Sequence, residues 1–269
     1  MGRERRRRRQ RQLDMTVAAI QRQYGPWALV KGDRSKVTGS TTVPHISTGF
    51  PALDRALGIG GLPRGRVCEL VGPATSGKTT LALKFLVQAQ AGGAQVGYVD
   101  QALYFDPDYA HRCGLDLSRL LVGRPQDVKE AAAIAEALAH SSSLAALVFD
   151  LLDFTWTDLA AAALLAATFE RLTTALARSD ATLIVLHELP AGNAVHSPSG
   201  GSPALSALAH VAAVRLGVVR ERWLYGQVPR GDIRGYQAGV EVLKNRFGPA
   251  GQTVSLAIKF NGTVRGNGL

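Results

Sequence analysis

Cysteine is nearly absent: Cys68 and Cys113 are the only two in 269 residues. Two thiols cannot build a disulfide framework, so the core must hold by packing, and a reducing cytoplasm suits the chain. Cys68 is expected as a small buried hydrophobe on a strand, and Cys113 near a helix end. Long apolar runs are lacking too. The best, Leu159 to Phe169, is Ala-rich and well short of the roughly 18 residues of a membrane span, so no membrane contact is expected. The N-terminus, MGRERRRRRQR, has no apolar stretch of the kind a secretory leader carries. No internal repeat is found. Acidic residues are outnumbered, 21 Asp and Glu against 31 Lys and Arg, for a net charge of +10. Residues 1–14 hold seven Arg against Glu4 and Asp14, which is half of that excess. So dense a run of one sign is expected to stay solvated and disordered; it either lies along phosphate backbones or does nothing specific. Met15 offers an alternative start that would leave the run outside the native chain. A second basic excess comes late, where nine Lys or Arg between Arg215 and Arg265 meet Glu221, Asp232 and Glu241.

What is present in full is a phosphate-binding signature. Residues 72–80 read GPATSGKTT, with the spacing of a P-loop. Its glycines let the backbone curl so that successive N–H groups face phosphate oxygens; a lysine reaches the terminal phosphates and a hydroxyl ligates Mg²⁺. Gly72, Ser76, Gly77, Lys78, Thr79 and Thr80 are the candidate phosphate-binding residues. The context agrees. Arg66 to Val71 alternates like a strand, and Thr79 to Ala91 has helical periodicity, so a helix N-terminus is aimed at an anion. A nucleoside triphosphate with Mg²⁺ is the expected ligand. Parallel strands end at one edge of a sheet, where ligands bind. Asp150 ends the apolar run LAALVFD and is placed to hold Mg²⁺ beside Thr79, the plainer alternative being a helix N-cap. Asp100 ends a neighbouring strand.

Along the chain, residues 1–12 are expected as the basic tail and 13–33 as a short helix with a lone strand at 27–30. Leu13, Val17, Ile20 and Tyr24 share one face of that helix. Residues 34–45 follow as a linker, 46–264 as the main domain, and 265–269 as a tail. Strands at 95–100, 144–150 and 182–187 alternate with helices at 107–112, 126–139 and 158–177. The pattern predicts an α/β fold: a mostly parallel sheet flanked by helices. Beyond residue 210 the stretches 211–219, 239–247 and 253–260 alternate, so the sheet is expected to finish in antiparallel strands.

These residues carry a resemblance. Ile46 to Phe85, ISTGFPALDRALGIGGLPRGRVCELVGPATSGKTTLALKF, is similar to the opening of the bacterial RecA core. So are Tyr98 to Leu121, the Asp150 strand, Gly200 to Leu216, and Val240 to Gly251, VEVLKNRFGPAG. Thr16 to Gly25, TVAAIQRQYG, resembles the helix by which RecA protomers dock on one another. The resemblance implies that Asp106 and Tyr109 flank adenine, Tyr109 by stacking. It also implies that Lys244 and Arg246, on one face of a strand, reach across a subunit interface to a neighbour's ATP, like an arginine finger. A solvated basic hairpin edge is the other reading of that pair.

Departures from the RecA pattern set the expected function. The family's water-orienting glutamate lies two residues past the aspartate of the second strand, and here that position is Ala102. Loss of a general base costs about 10² to 10⁴ in rate. The family's γ-phosphate-sensing glutamine is replaced by Glu188. Like charges about 4 Å apart near a surface repel by about 4 kcal/mol. Glu188 therefore stays clear of the phosphate, which is the reading preferred here, is offset by Mg²⁺, or takes over as the base. The candidate catalytic set is Lys78, Asp150 and Glu188. Leu151 to Thr157 leaves no room for the family's first DNA loop, and Pro190 to Gly201 is a short, uncharged second one. No counterpart of the C-terminal domain of full-length RecA is expected.

Two functions are most consistent with this pattern, ahead of a P-loop regulator unrelated to DNA. One is an ATP-binding accessory protein of DNA repair, similar to the ImuA-type proteins of the translesion mutasome, acting on RecA or a translesion polymerase complex. It would self-associate through the N-terminal helix and touch DNA through the tail or the late basic strands. The other is a DNA-dependent ATPase and recombinase in which Glu188 or Asp100 replaces the missing glutamate and the Arg-rich tail replaces the missing loops.

Overall fold

The computed structural model describes residues 2–24, 43–152, 154, 157–188, 202–226, 232–260 and 264–266. The chain divides into two compact units, Met1–Thr42 and Val43–Leu269. In the first, one helix runs from Gly2 to Tyr24. The arginine run expected as a disordered tail is therefore the first half of the same helix. Arginine is among the better helix formers, and its long side chains keep their charges in water from a helix surface. Local bonds continue through the second half, with Gln10 Nε2 donating to Asp14 Oδ1 at 3.2 Å and Arg22 Nε to the Ala18 carbonyl at 3.2 Å. Leu13 and Met15 are exposed, and Val17 and Ile20 half-buried. The strand expected at 27–30 and most of the linker lie outside the described residues.

The second unit is built on eleven strands among the described residues: β1 (His45–Ile46), β2 (Leu62–Pro63), β3 (Val67–Gly72), β4 (Gln95–Asp100), β5 (Leu120–Gly123), β6 (Leu144–Leu151), β7 (Thr182–Glu188), β8 (Val214–Tyr225), β9 (Ile233–Asn245), β10 (Thr253–Lys259) and β11 (Val264–Gly266). β1 and β2 form a small antiparallel ribbon. The other nine make one sheet in the order β11-β10-β9-β8-β3-β7-β6-β4-β5. From β8 to β5 every pairing is parallel; from β8 to β11 every pairing is antiparallel. The expected α/β architecture with its late antiparallel strands is what forms. Continuous apolar strands such as β6 require cover on both faces. One face packs on the Lys78–Ala89 helix through Leu81, Phe85 and Leu86, the other on the Leu159–Ser179 helix through Leu165, Phe169 and Leu172. β8 and β9 are longer than their alternation suggested. Their outer halves, 219–225 and 233–239, extend past β3 as a hairpin.

The Leu159–Ser179 helix is long and apolar enough to meet the length and composition of a membrane span. Its buried residues form the core stripe just named, which is how a sheet-covering helix is patterned. Under the parallel strands lies a buried polar network. Glu69 accepts from Arg215 and lies 2.7 Å from His187 Nε2, tying β3, β7 and β8 together. Burial pushes the Glu69 carboxyl up, but His187 and Arg215 outweigh it and hold the carboxyl below its usual range.

Candidate nucleotide-binding site

β3 delivers the chain at Gly72 to the edge where the parallel strands end, and the Lys78–Ala89 helix leaves from there. Gly72 cannot carry a side chain: a Cβ there would sit 2.0 Å from the Val218 carbonyl oxygen of β8. Gly77, the helix N-cap, has φ +105°, and a Cβ on it would come 2.6 Å from Ile258 Cδ1 and 3.0 Å from Tyr236 Oη. Thr75 also takes a left-handed conformation, φ 56°. The loop is thus a tight backbone turn at a helix N-terminus, the setting in which main-chain amides can receive an anion. Ser76, Lys78 and Thr80 are buried in it, and Thr79 is half-buried.

Lys78 folds back on its own loop. Its Nζ donates to the carbonyls of Gly72 at 2.9 Å and Pro73 at 2.7 Å and to Ser76 Oγ at 3.4 Å. Burial lowers its pKa, while Glu188 and Asp150 pull the other way. An ammonium so held is desolvated already and would gain from a phosphate oxygen brought into the loop. Glu188 is closer than the sequence reading preferred. It ends β7 opposite Gly72 in register, and its Oε1 lies 3.7 Å from Lys78 Nζ.

The two aspartates meet as expected, since Asp100 and Asp150 are partners at the ends of β4 and β6. Asp150 is not a helix N-cap. The following helix is capped by Asp158, which accepts from the amides of Ala160 and Ala161. Asp150 instead accepts from the Tyr98 hydroxyl and, at 3.0 Å, from the Leu152 amide. Burial pushes its carboxyl up to about 6, and Asp100 adds to the rise. Asp100 has a different job: both its oxygens accept amides, Tyr104 and Phe105 at 3.0 Å each, and so fold the turn after β4. Ala102 is half-buried in that turn, and the neighbouring Gln101 keeps a buried Oε1 with no hydrogen-bond partner among the described residues.

The pH consequence follows from Asp150. A carboxyl raised to about 6 binds a cation only after losing its proton, so Mg²⁺-dependent nucleotide binding is expected to weaken as pH falls through about 6. Isothermal titration with MgATP between pH 8 and 5 checks this, and Asp150→Asn should flatten the profile. In stability the sign is opposite. A raised carboxyl favours the fold below its unfolded pKa and loses that contribution as pH climbs through about 6.

Asp106 and Tyr109 arrive beside the loop by the same turn. Asp106 caps the Pro107–Arg112 helix by accepting the Tyr109 amide at 3.0 Å, and the Tyr109 hydroxyl lies 2.7 Å from Thr80 Oγ1. Lys244 and Arg246 are not brought to this loop. Lys244 lies in register with Arg215, which is level with Glu69 on β3, about 10 Å of strand before Gly72. Lys244 Nζ donates to the carbonyls of Ala209 at 2.6 Å and His210 at 2.9 Å, and Arg246 Nη2 also donates to the latter. Cations on a helix's last carbonyls are favourable there. Within one chain the pair caps the Pro203–Val211 helix.

Three side chains that no motif marks also stand at the loop: Tyr236, Trp223 and Arg220. Tyr236, buried on β9, is the one nearest Gly77. Trp223 packs edge-on to it at 6.1 Å between ring centroids, and Arg220 donates to Thr75 Oγ1 at 3.0 Å. Only the β8–β9 register reveals them, because a bulge between Arg220 and Arg222 turns Trp223 toward Tyr236.

The donor set suits MgATP. Thr79 and Asp150 offer hard oxygens, and no group of three or more His, Cys, Asp or Glu that could by itself hold a metal ion occurs among the described residues. Mg²⁺ is commonly held this way, by one or two protein oxygens with substrate phosphates completing its shell.

Comparison with known proteins agrees with this geometry. Residues 11–265 match the family model for the RecA N-terminal domain. The chain is 34% identical to Protein RecA of Chlorobium limicola over 96% of its own length and 81% of the relative's. With Protein RecA of Streptomyces ambofaciens it is 35% identical, over 90% of this chain and 67% of the relative. The crystal structure of the RadB recombinase superposes with a TM-score of 0.64 at 23% identity, over 83% of this chain and all of that one, a likeness of fold. A P-loop placed between β7 and β8 in a sheet of this order, matched over nearly the whole chain, leaves one assignment: the protein belongs to the RecA family.

Proposed function

We propose that this chain binds ATP with Mg²⁺ and serves DNA repair as an accessory or regulatory member of the RecA family, turning ATP over slowly. Lys78 and the loop amides would hold the phosphates, Thr79 and Asp150 the cation, and Tyr109 the base. The observation that carries the slow turnover is Ala102. The turn after Asp100 reads Gln-Ala-Leu-Tyr-Phe, with no carboxylate in the turn to orient a water. Glu188 is paired with Lys78 and is spoken for as a cation's partner before it can serve as a base. Partners in this reading are RecA itself or a translesion polymerase complex, engaged in the cytoplasm through the N-terminal helix during the SOS response.

A recombinase reading draws support from one surface. The outer β8–β9 hairpin presents Arg220, Arg222 and Arg234 beside exposed Trp223 and Tyr225, the mixture of cations and stacking faces that single strands use. Steady-state ATPase assays separate the two. The accessory reading expects low turnover that single-stranded DNA leaves unchanged. Turnover strongly stimulated by DNA and abolished in Lys78→Ala would favour the recombinase. Deleting residues 1–33 is expected to abolish self-association or RecA binding in a pull-down, and unchanged capture would count against the docking role.

A further inference from the structure

Arg220 stands over the phosphate loop. It lies on β8 two residues beyond Val218, the residue whose carbonyl excludes a side chain at Gly72. Its Nη1 donates to Thr75 Oγ1 at 3.0 Å, at the crest of the phosphate loop. Its Cζ lies 4.2 Å from the Trp223 ring centroid, so the guanidinium rests on the indole. Tyr236 also feels this charge: burial raises its hydroxyl and Arg220 opposes the rise. Among the described residues no carboxylate pairs with Arg220. A guanidinium seated on an aromatic face keeps its N–H donors in a plane pointing outward, in the fork that matches phosphate oxygens. Such seating also limits the rotamer freedom that a solvent-exposed arginine would surrender on binding a ligand.

The charge balance at the loop gives this arrangement a purpose. Glu188 places a negative charge beside Lys78, where terminal phosphates would come. The cations that resemblance would bring from a neighbour, Lys244 and Arg246, are bound to helix carbonyls. We propose that Arg220, positioned by Trp223, is a phosphate-binding residue supplied within the same chain, closing over the terminal phosphates of a nucleotide held in the 72–80 loop. This rests on the nucleotide-binding reading above. In it Arg220 exchanges Thr75 Oγ1 for a phosphate oxygen, and Trp223 is a positioning residue.

The test uses the full chain, titrated with MgATP, MgADP and single-stranded DNA while tryptophan emission and melting temperature are followed. Arg220→Ala is expected to weaken ATP binding about tenfold, the loss of one charge-assisted hydrogen bond, and ADP binding less. Arg220→Lys should recover part of the loss. Trp223→Ala should weaken ATP binding similarly and Trp223→Phe restore most of it. Wild-type emission should change on ATP addition by an amount that Trp223→Phe removes. Unchanged ATP affinity in Arg220→Ala overturns the proposal. So does an equal loss for ATP and ADP with a lowered melting temperature, which marks a structural role, or a loss confined to binding of single-stranded DNA. Failure of the wild type to bind ATP would sink the nucleotide reading itself, whereas wild-type binding with an indifferent Arg220→Ala sinks this inference alone.

Discussion

Ala102→Glu is expected to raise Mg²⁺-dependent ATP turnover by about 10²- to 10⁴-fold, the range that a positioned general base contributes. The turn can accept the change. Asp100 fixes its backbone through the amides of Tyr104 and Phe105, and Ala102 is half-buried, so a longer side chain has an outlet. Gln101 Oε1, buried and without a partner among the described residues, supplies a polar surface at which a water could be shared. The readout is phosphate release under saturating MgATP, with Lys78→Ala on the same background as the control. Turnover that stays at the parent level would mean that the missing base is not what limits the reaction.

Glu188→Gln is expected to tighten ATP binding by about ten- to a hundredfold and to leave ADP nearly unchanged. The carboxylate lies 3.7 Å from the Lys78 ammonium, the group a terminal phosphate would also seek. Bringing that phosphate in sets two negative charges about 4 Å apart, a repulsion of about 4 kcal/mol at the effective dielectric of a surface site. Mg²⁺ and solvent offset part of it, which is why the expected gain is smaller than the bare figure. A neutral amide of the same shape removes the repulsion and can donate to the phosphate. ADP lacks the phosphate concerned. Competition of both nucleotides against one fluorescent analogue measures the difference. Equal shifts for ATP and ADP would show that Glu188 acts on the loop and not on the terminal phosphate.

The strands and helices of the parallel half were legible because each is long and its apolar period unambiguous. LAALVFD and TLIVLH are continuous apolar runs that only a strand covered on both faces explains, and the GPATSGKTT spacing fixed where the chain turns from β3 into the Lys78–Ala89 helix. Asp150 and Asp100 followed from their positions at strand ends. Charge and register were harder to read. The arginine run looked too repulsive to fold, yet helix propensity makes it helical, with Arg7, Arg8, Arg9 and Arg11 exposed to water. Lys244 and Arg246 share a face as the spacing required, but the sequence could not show that the Pro203–Val211 helix ends beneath them. Arg220, Trp223 and Tyr236 carry no motif. They converge only through the pairing of Trp223 with Tyr236, 13 residues apart, and a bulge between Arg220 and Arg222. Pro190 to Gly201, expected as a reduced second DNA loop, lies outside the described residues.

The central claim is that the 72–80 loop grips a triphosphate through its amides and Lys78. Equilibrium titration of the purified full chain with labelled ATP and Mg²⁺ tests it most directly, beside Lys78→Ala. The account predicts saturable, Mg²⁺-dependent binding that the variant weakens by about a hundredfold, the loss expected for two charge-assisted hydrogen bonds. Absence of saturation, or equal uptake by the variant, would contradict it.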